Sequence, residues 1–192
     1  LSTGVENVTF NVGDAYAISH GDETFDVCLA HSLLEALLDP ASAAREMCRV
    51  LKPGGLIALA SVEYSGLIIH GTQIDLLRHF YDVRIKLWQT VMGANPFMGQ
   101  NLRGLLDSVG FIDISVSTKS FCYGTQQSVE TFGIERSAEC SEGWFRETAL
   151  ENNLLSEVEL SDIGTAWRNW SVANDSYLAF PWCRAQRKFA GF

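Results

Sequence analysis

The chain has 192 residues, 47% hydrophobic and 19% charged, a size and balance that bury a substantial core in one ordinary domain and exclude intrinsic disorder. A formal charge of −9 repels phosphate backbones and argues against a nucleic-acid partner, since the one basic cluster is Arg184, Arg187 and Lys188. Five widely spaced cysteines, at 28, 48, 122, 140 and 183, contain no C-x-x-C pair, so they indicate neither a metal site nor a disulfide framework; Cys28 and Cys48 read as core fillers in a reducing, cytoplasmic setting.

In chain order, VTFNVGD at residues 8–14 alternates in part and ends on Gly13-Asp14, as a strand running into a loop does. Asp22-Glu23-Thr24 reads as a polar turn, and FDVCLA at residues 25–30 as a short strand buried on both faces. Asp39 offers a helix N-cap and Pro40 a first helical residue. Ala44, Met47 and Leu51 then share one helical face. Lys52-Pro53-Gly54-Gly55 stops that helix, because proline cannot continue it and glycine accepts the positive φ of a turn. LIALAS, residues 56–61, is a second fully apolar strand. Strand, helix and strand in this order predict a parallel crossover unit and an α/β fold.

Beyond Ser61 the pattern changes. Residues 62–71 read as irregular, and Ile74, Leu77, Tyr81, Trp88 and Val91 then recur at helical spacing. A further helix is expected over residues 101–109, with Leu102, Leu105, Leu106 and Val109 inward and Gly110 as its stop. FIDISVST puts Ile112, Ile114 and Val116 on one side and Asp113, Ser115 and Ser117 on the other, which predicts a half-wet strand near the sheet edge. Two or three helices follow between Gln126 and Ala173, packed together by Trp144, Trp167 and Trp170, the last starting at Leu160-Ser161. YLAFPWCRAQRKF closes the chain as a strand in which Pro181 favours an edge or bulge. No apolar run reaches the ~18 residues of a membrane span, and no signal-peptide pattern stands at the start. Without repeat, low-complexity tract or linker, residues 1–192 read as a single domain. The first residue is Leu1 rather than methionine, so we expect that something upstream was removed or never recorded.

In open parallel sheets, ligands bind at the carboxyl ends of the strands. Two such ends lie close together, GDA at residues 13–15 and AHS at residues 30–32. An aspartate just past a strand accepts a hydrogen bond from an exocyclic amine, and the next backbone N–H donates to a ring nitrogen. Asp14 and Ala15 are therefore suited to an adenine edge, with backbone at Ala30 and Ser32 close to the rest of a nucleoside.

The segments ENVTFNVGDAY, DETFDVCLAHSLLEALLDP, AAREMCRVLKPGG and LLDSVGF together resemble, in order and spacing, the class I S-adenosylmethionine-dependent methyltransferases, of the small-molecule kind grouped with ubiquinone and menaquinone biosynthesis enzymes. The resemblance is close over residues 5–116 and loose beyond. It implies a Rossmann-like sheet with helices on both faces, S-adenosylmethionine as cofactor, and methyl transfer to a small apolar or aromatic molecule. By position it implies Asp14 at the adenine amino group, Ala15 at its ring, and Ala30 and His31 along the ribose and methionine. The family's first strand, its glycine-rich loop and the acidic residue ending its second strand have no counterpart in this sequence. At roughly 30 residues for each βαβ unit, about two strand–helix pairs are missing. Three explanations stay open: a fragment of an ordinary methyltransferase, a shortened relative catalysing a non-methylating cyclase or lyase reaction, or a non-catalytic partner completing another chain's sheet. A central strand supplied by a second copy would make a homodimer.

Methyl transfer to a hydroxyl or an acidic carbon needs a base beside the acceptor. His31 at the strand end and His70 in the irregular segment are the candidates. Their competing readings are a residue that packs beside the cofactor without chemistry, and a loop histidine in solvent. Residues 62–98 form the insertion that the resemblance places over the acceptor, and they are rich in aromatic residues. Tyr81 and Trp88 fall on a helical stripe and read as core, which leaves Tyr64 and Phe97 as the expected substrate contacts. Glu35 reads as a helix-capping charge.

Overall fold

The computed structural model of the chain describes residues 7–188. Its elements run β1 (Phe25–His31), α1 (Pro40–Val50), β2 (Leu51–Val62), β3 (Ile68–His70), α2 (Ile74–Thr90), α3 (Met98–Ser108), β4 (Ser115–Tyr123), α4 (Gln126–Ser141), α5 (Trp144–Glu151), α6 (Glu157–Val172) and β5 (Tyr177–Lys188). Short 3-10 turns at Leu34–Ala36 and Tyr64–Gly66 follow β1 and β2. The strands form one mixed sheet: β1 is parallel to β2, β2 antiparallel to β5, and β5 antiparallel to both β3 and β4. Helices on both faces give the α/β architecture that the sequence predicts.

Strand alternation divides the core in two. Cys28, Ala30, Ile57, Leu59, Cys183 and Ala185 face α1 and α3, whose Met47, Leu102 and Leu106 complete one apolar cluster. On the other face, Leu178 of β5 joins Phe80, Phe145, Trp167 and Trp170 from the remaining helices. Gly133 sets the approach of α4 to α6, since a Cβ there would lie 2.5 Å from Ser171 Cβ and 2.9 Å from the Trp167 carbonyl. The second cluster covers the β3–β5 end alone, so Val27 and Leu29 of β1 remain 56% and 71% exposed.

Several expectations are corrected. Residues 8–13 form no strand, and Val8, Phe10 and Val12 lie exposed. Among the described residues β1 is paired on its β2 side alone, so this stretch has no ladder there to join, and extended backbone without a partner is not held as a strand. For the same reason β1 is not buried on both faces. β2 starts at Leu51 and carries the Pro-Gly-Gly stretch as a ladder irregularity between the pairs Phe25–Leu51 and Val27–Leu56. The segment read as irregular after Ser61 holds β3. β4 starts later than its alternation suggests because Asp113 takes a positive φ of 52°, but it is an edge strand paired with β5 alone.

β5 is central, not an edge. Its Pro181 sits in the gap between the β2 pairing, which ends at Trp182, and the β3 pairing, which begins at Ala179. Its carbonyl accepts from Glu63 N on that side, and a strand residue's N–H and C=O point to the same edge, so no ladder donor is lost. The last helix is capped by Ser156 rather than Ser161, in a reciprocal box with Glu159. Trp167 and Trp170 are fully buried as expected, whereas Trp144 is 40% exposed. Among the described residues no helix is long and apolar enough to cross a membrane. The side chains of Arg187 and Lys188, two members of the basic cluster, lie outside the described residues.

Candidate functional site

At the carboxyl ends of β1 and β2, the sheet face turned away from α1 and α3 opens into a cavity of about 320 Å³. β5 contributes Phe180 and Trp182, β2 contributes Val62, and the turn after β2 contributes Tyr64. Trp88 of α2, with Met92 and Ala94 beyond it, forms the opposite wall; Ser32, Glu35 and Ala36 close the end next to β1. Strand geometry explains the walls. Val62 pairs with Trp182 and Ala60 with His31, so all four point to one face. Ala60 is small enough for the His31 and Trp182 rings to stack across it, with centroids 4.6 Å apart and planes 16° apart.

Tyr64 is fixed by its backbone N–H, which donates to the Pro96 carbonyl at 3.1 Å. Its ring stands edge-on to Trp88 at 5.7 Å and lies along Phe180 at 5.9 Å. Burial pushes the Tyr64 phenol up, with Arg84 and Arg136 pulling it the other way. Arg84 lies 5.8 Å from the Trp88 ring centre and is ion-paired with Glu139. Trp182 Nε1 is buried without a hydrogen-bond partner among the described residues.

Two carboxylates are buried at this end of the sheet, Glu35 and Glu63, each 6% exposed. Both oxygens of Glu63 have structural partners: Oε1 accepts from Ser65 N at 3.1 Å and Oε2 from Gln100 N, at the start of α3, at 2.8 Å. Gly99 permits that approach, since a Cβ there would lie 2.9 Å from Glu63 Cβ. Glu35 differs. Its Oε2 accepts from Ser61 Oγ at 2.7 Å. It is therefore no helix cap, and its side chain is tied to the end of β2.

The Asp14 corner lies alongside. Asp14 is exposed, and its Oδ1 accepts from Tyr16 N at 2.8 Å, while Oδ2 has no partner among the described residues. The loop is anchored: Tyr16 OH accepts from Asp39 N at 3.2 Å, Ile18 N donates to Glu46 at 3.1 Å, and Arg49 donates to the Ile18 and His20 carbonyls at 2.9 Å each. Ala15 packs on the apolar cluster that contains Ala30. A carboxylate oxygen on a held loop can accept a hydrogen bond from an exocyclic amine such as that of the adenine in S-adenosylmethionine. Among the described residues no strand lies beyond β1, and the fit does not extend to a cradle for the methionine carboxylate.

Of the residues expected from sequence, Ser32 and Tyr64 line the cavity and His31 flanks it through Trp182. His31 Nδ1 is 3.0 Å from Ser32 Oγ. His70 lies apart: it pairs with Tyr177 on β5, five residues from Trp182 and so roughly 17 Å along the strand. It meets Asp175 at 3.7 Å in solvent. Phe97 precedes α3, half-buried, and is not among the lining residues. In the sequence Glu35 reads as a capping charge and Trp88 as core, and nothing there singles out Phe180 or Trp182. The available signals were an acid inside the apolar run LLEALL and two aromatics spaced by two in the final strand. A larger hollow of about 660 Å³ lies at the opposite strand ends, between Asp22, Arg49, Leu51 and Val109. Arg49 is already bonded there to Glu46, Asp22 and two carbonyls, and the strand ends that carry chemistry in this architecture are the other ones.

Residues 2–59 match a family described as "Methyltransferase domain". An uncharacterized methyltransferase of Schizosaccharomyces pombe is 27% identical over 173 residues, covering 86% of this chain and 59% of the relative. The ubiquinone/menaquinone biosynthesis C-methyltransferase UbiE of Bdellovibrio bacteriovorus is 29% identical over 113 residues, covering 56% of this chain and 46% of that protein. The chain thus spans less than two thirds of the length of these relatives. The crystal structure of YcgJ from Bacillus subtilis superposes with a TM-score of 0.54 at 14% identity, covering 98% of this chain and 74% of YcgJ, which shows the shared fold.

Proposed function

We propose that the chain, which is similar to class I S-adenosylmethionine-dependent methyltransferases, takes part in methyl transfer to a small molecule with an apolar or aromatic body, held in the Tyr64–Trp88–Trp182 cavity. The observation that carries this reading is the meeting of two sites at one pair of strand ends. Ala30 belongs to the nucleoside corner, and Ser32, two residues on, lines the aromatic cavity. When bound, S-adenosylmethionine would supply an electrophilic methyl group on a sulfonium sulfur.

In this reading Asp14 accepts a hydrogen bond from the adenine amine and the Ala15 N–H donates to the ring. Backbone at Ala30 and Ser32 lies along the sugar. The aromatic walls orient the acceptor and exclude water, the main demands of a one-step displacement. His31, held by its stack on Trp182 and its contact with Ser32, takes the proton of a hydroxyl or carbon acceptor. Residues 62–98 cover the acceptor. The name of the Bdellovibrio relative, a C-methyltransferase of quinone biosynthesis, supports a small-molecule acceptor. The test is isothermal titration with S-adenosylmethionine. Wild-type protein is expected to bind, and Asp14→Ala to weaken binding by about 1–3 kcal/mol, the scale of a lost hydrogen bond to a charged group. Absence of binding, or an unchanged affinity in the variant, would overturn the reading.

A further inference from the structure

The acceptor cavity pairs aromatic rings with a carboxylate that the fold does not fully use. Tyr64, Trp88, Phe180 and Trp182 bring four rings to it, and Glu35 lines it beside Ser32. Ser61 satisfies one Glu35 oxygen. The other has no partner among the described residues, and it is not among the orphaned atoms shut off from solvent. That oxygen is therefore not shut off from solvent, and Glu35 is one of the residues that line the cavity. No ion pair involves Glu35 among the described residues. The nearby cations are already matched: Arg84, over Trp88, by Glu139, and Arg136 by Glu135 and Glu139.

A carboxylate at 6% exposure with one hydrogen bond is costly to hide unless a cation meets it. Aromatic faces attract cations through their ring quadrupoles. Glu63, equally buried, shows the contrast: both its oxygens are taken up by backbone N–H groups, so it is accounted for by the fold. The chain's net charge of −9 also favours the approach of cations over anions. We infer that this cavity selects a small cationic amine, its ammonium against Glu35 and its apolar body between the rings of Trp88, Tyr64 and Trp182. The inference rests on the preceding reading in taking this cavity as the acceptor's, and it makes the acceptor an amine rather than a hydroxyl or carbon: the bound ammonium first passes one proton to a base such as Glu35, and the freed nitrogen lone pair then takes the methyl as the sulfonium sulfur leaves as a thioether.

The test compares three probes of similar size by titration and tryptophan fluorescence, without donor: 2-phenylethylamine, 2-phenylethanol and phenylacetate. The amine is expected to bind about tenfold tighter than the alcohol, the scale of a desolvated cation–π contact added to a charge pair, and phenylacetate weakest. Glu35→Gln keeps an acceptor for Ser61 and removes the charge, so it should bring the amine to the affinity of the alcohol. Trp88→Leu should weaken all three. Should Glu35→Gln fail to fold, as read by circular dichroism, the ranking in the wild type decides. The inference is overturned if the wild type binds the alcohol as tightly as the amine, if no amine binding appears at millimolar concentration, or if a folded Glu35→Gln retains the preference. Amine preference without binding of S-adenosylmethionine would sink the methyl-transfer reading alone; donor binding without amine preference would sink this inference alone.

Discussion

Ser156 and Glu159 fix the first turn of α6 reciprocally: Ser156 Oγ accepts from Glu159 N at 3.3 Å, and Glu159 Oε2 accepts from Ser156 N at 2.7 Å. That turn aims Trp167 and Trp170, both fully buried, into the second apolar cluster. Ser156→Ala should cost about 1 kcal/mol in urea unfolding, the usual value of a lost N-cap. Trp167→Ala, which empties a far larger volume, should cost about 3–5 kcal/mol. Equal losses in the two variants would contradict this ranking. At the site, the corresponding distinction is between Glu63 and Glu35. The first is consumed by backbone, while the second keeps an oxygen for a ligand.

β1 is the element whose surroundings differ most from its composition. FDVCLA is apolar enough for a strand covered on both faces. In the fold, Cys28 and Ala30 meet α1 and α3 while Val27 and Leu29 stay open. An apolar strand with a free edge and a bare face is an association hazard. Leu29→Lys should leave the thermal midpoint nearly unchanged, within the ~0.5 kcal/mol typical of surface sites, and reduce aggregation in light scattering. Leu59→Lys, on the covered face of β2 at 1% exposure, should prevent folding. If Leu29→Lys unfolds the protein, that face is not as open as described.

Across the whole molecule, several surface carboxylates are held below their ordinary range. Hydrogen bonds from Ser42 lower Asp39, and the Arg49 side chain lowers Glu46. The Arg146 side chain lowers Glu157, and hydrogen bonds with Ser156 lower Glu159. Each of these groups is more acidic folded than unfolded. Their contribution is therefore present above the ordinary values of 3.8 for Asp39 and 4.5 for the glutamates, and it is lost as pH falls through the lower folded values. The urea midpoint should stay level from neutral pH to about pH 5 and fall below that. A midpoint that rises on acidification from about pH 5 to about pH 3 would contradict the assignment.

The amino-acid order by itself determined the β1–α1–β2 crossover, because Asp39-Pro40 starts a helix and apolar runs of strand length flank it. It also placed Ala30 and Ser32 at the end of β1, and set Tyr64 apart from the helical stripe of Tyr81 and Trp88, in the turn that lines the cavity. Tertiary structure alone decided the fate of residues 8–13, since a strand exists through its neighbour and none lies there. It alone exposed the roles of Glu35 and Trp182. Burial of an acid and stacking of His31 on an indole depend on which elements converge in space, across 147 residues between Glu35 and Trp182, and no local pattern encodes a contact at that separation.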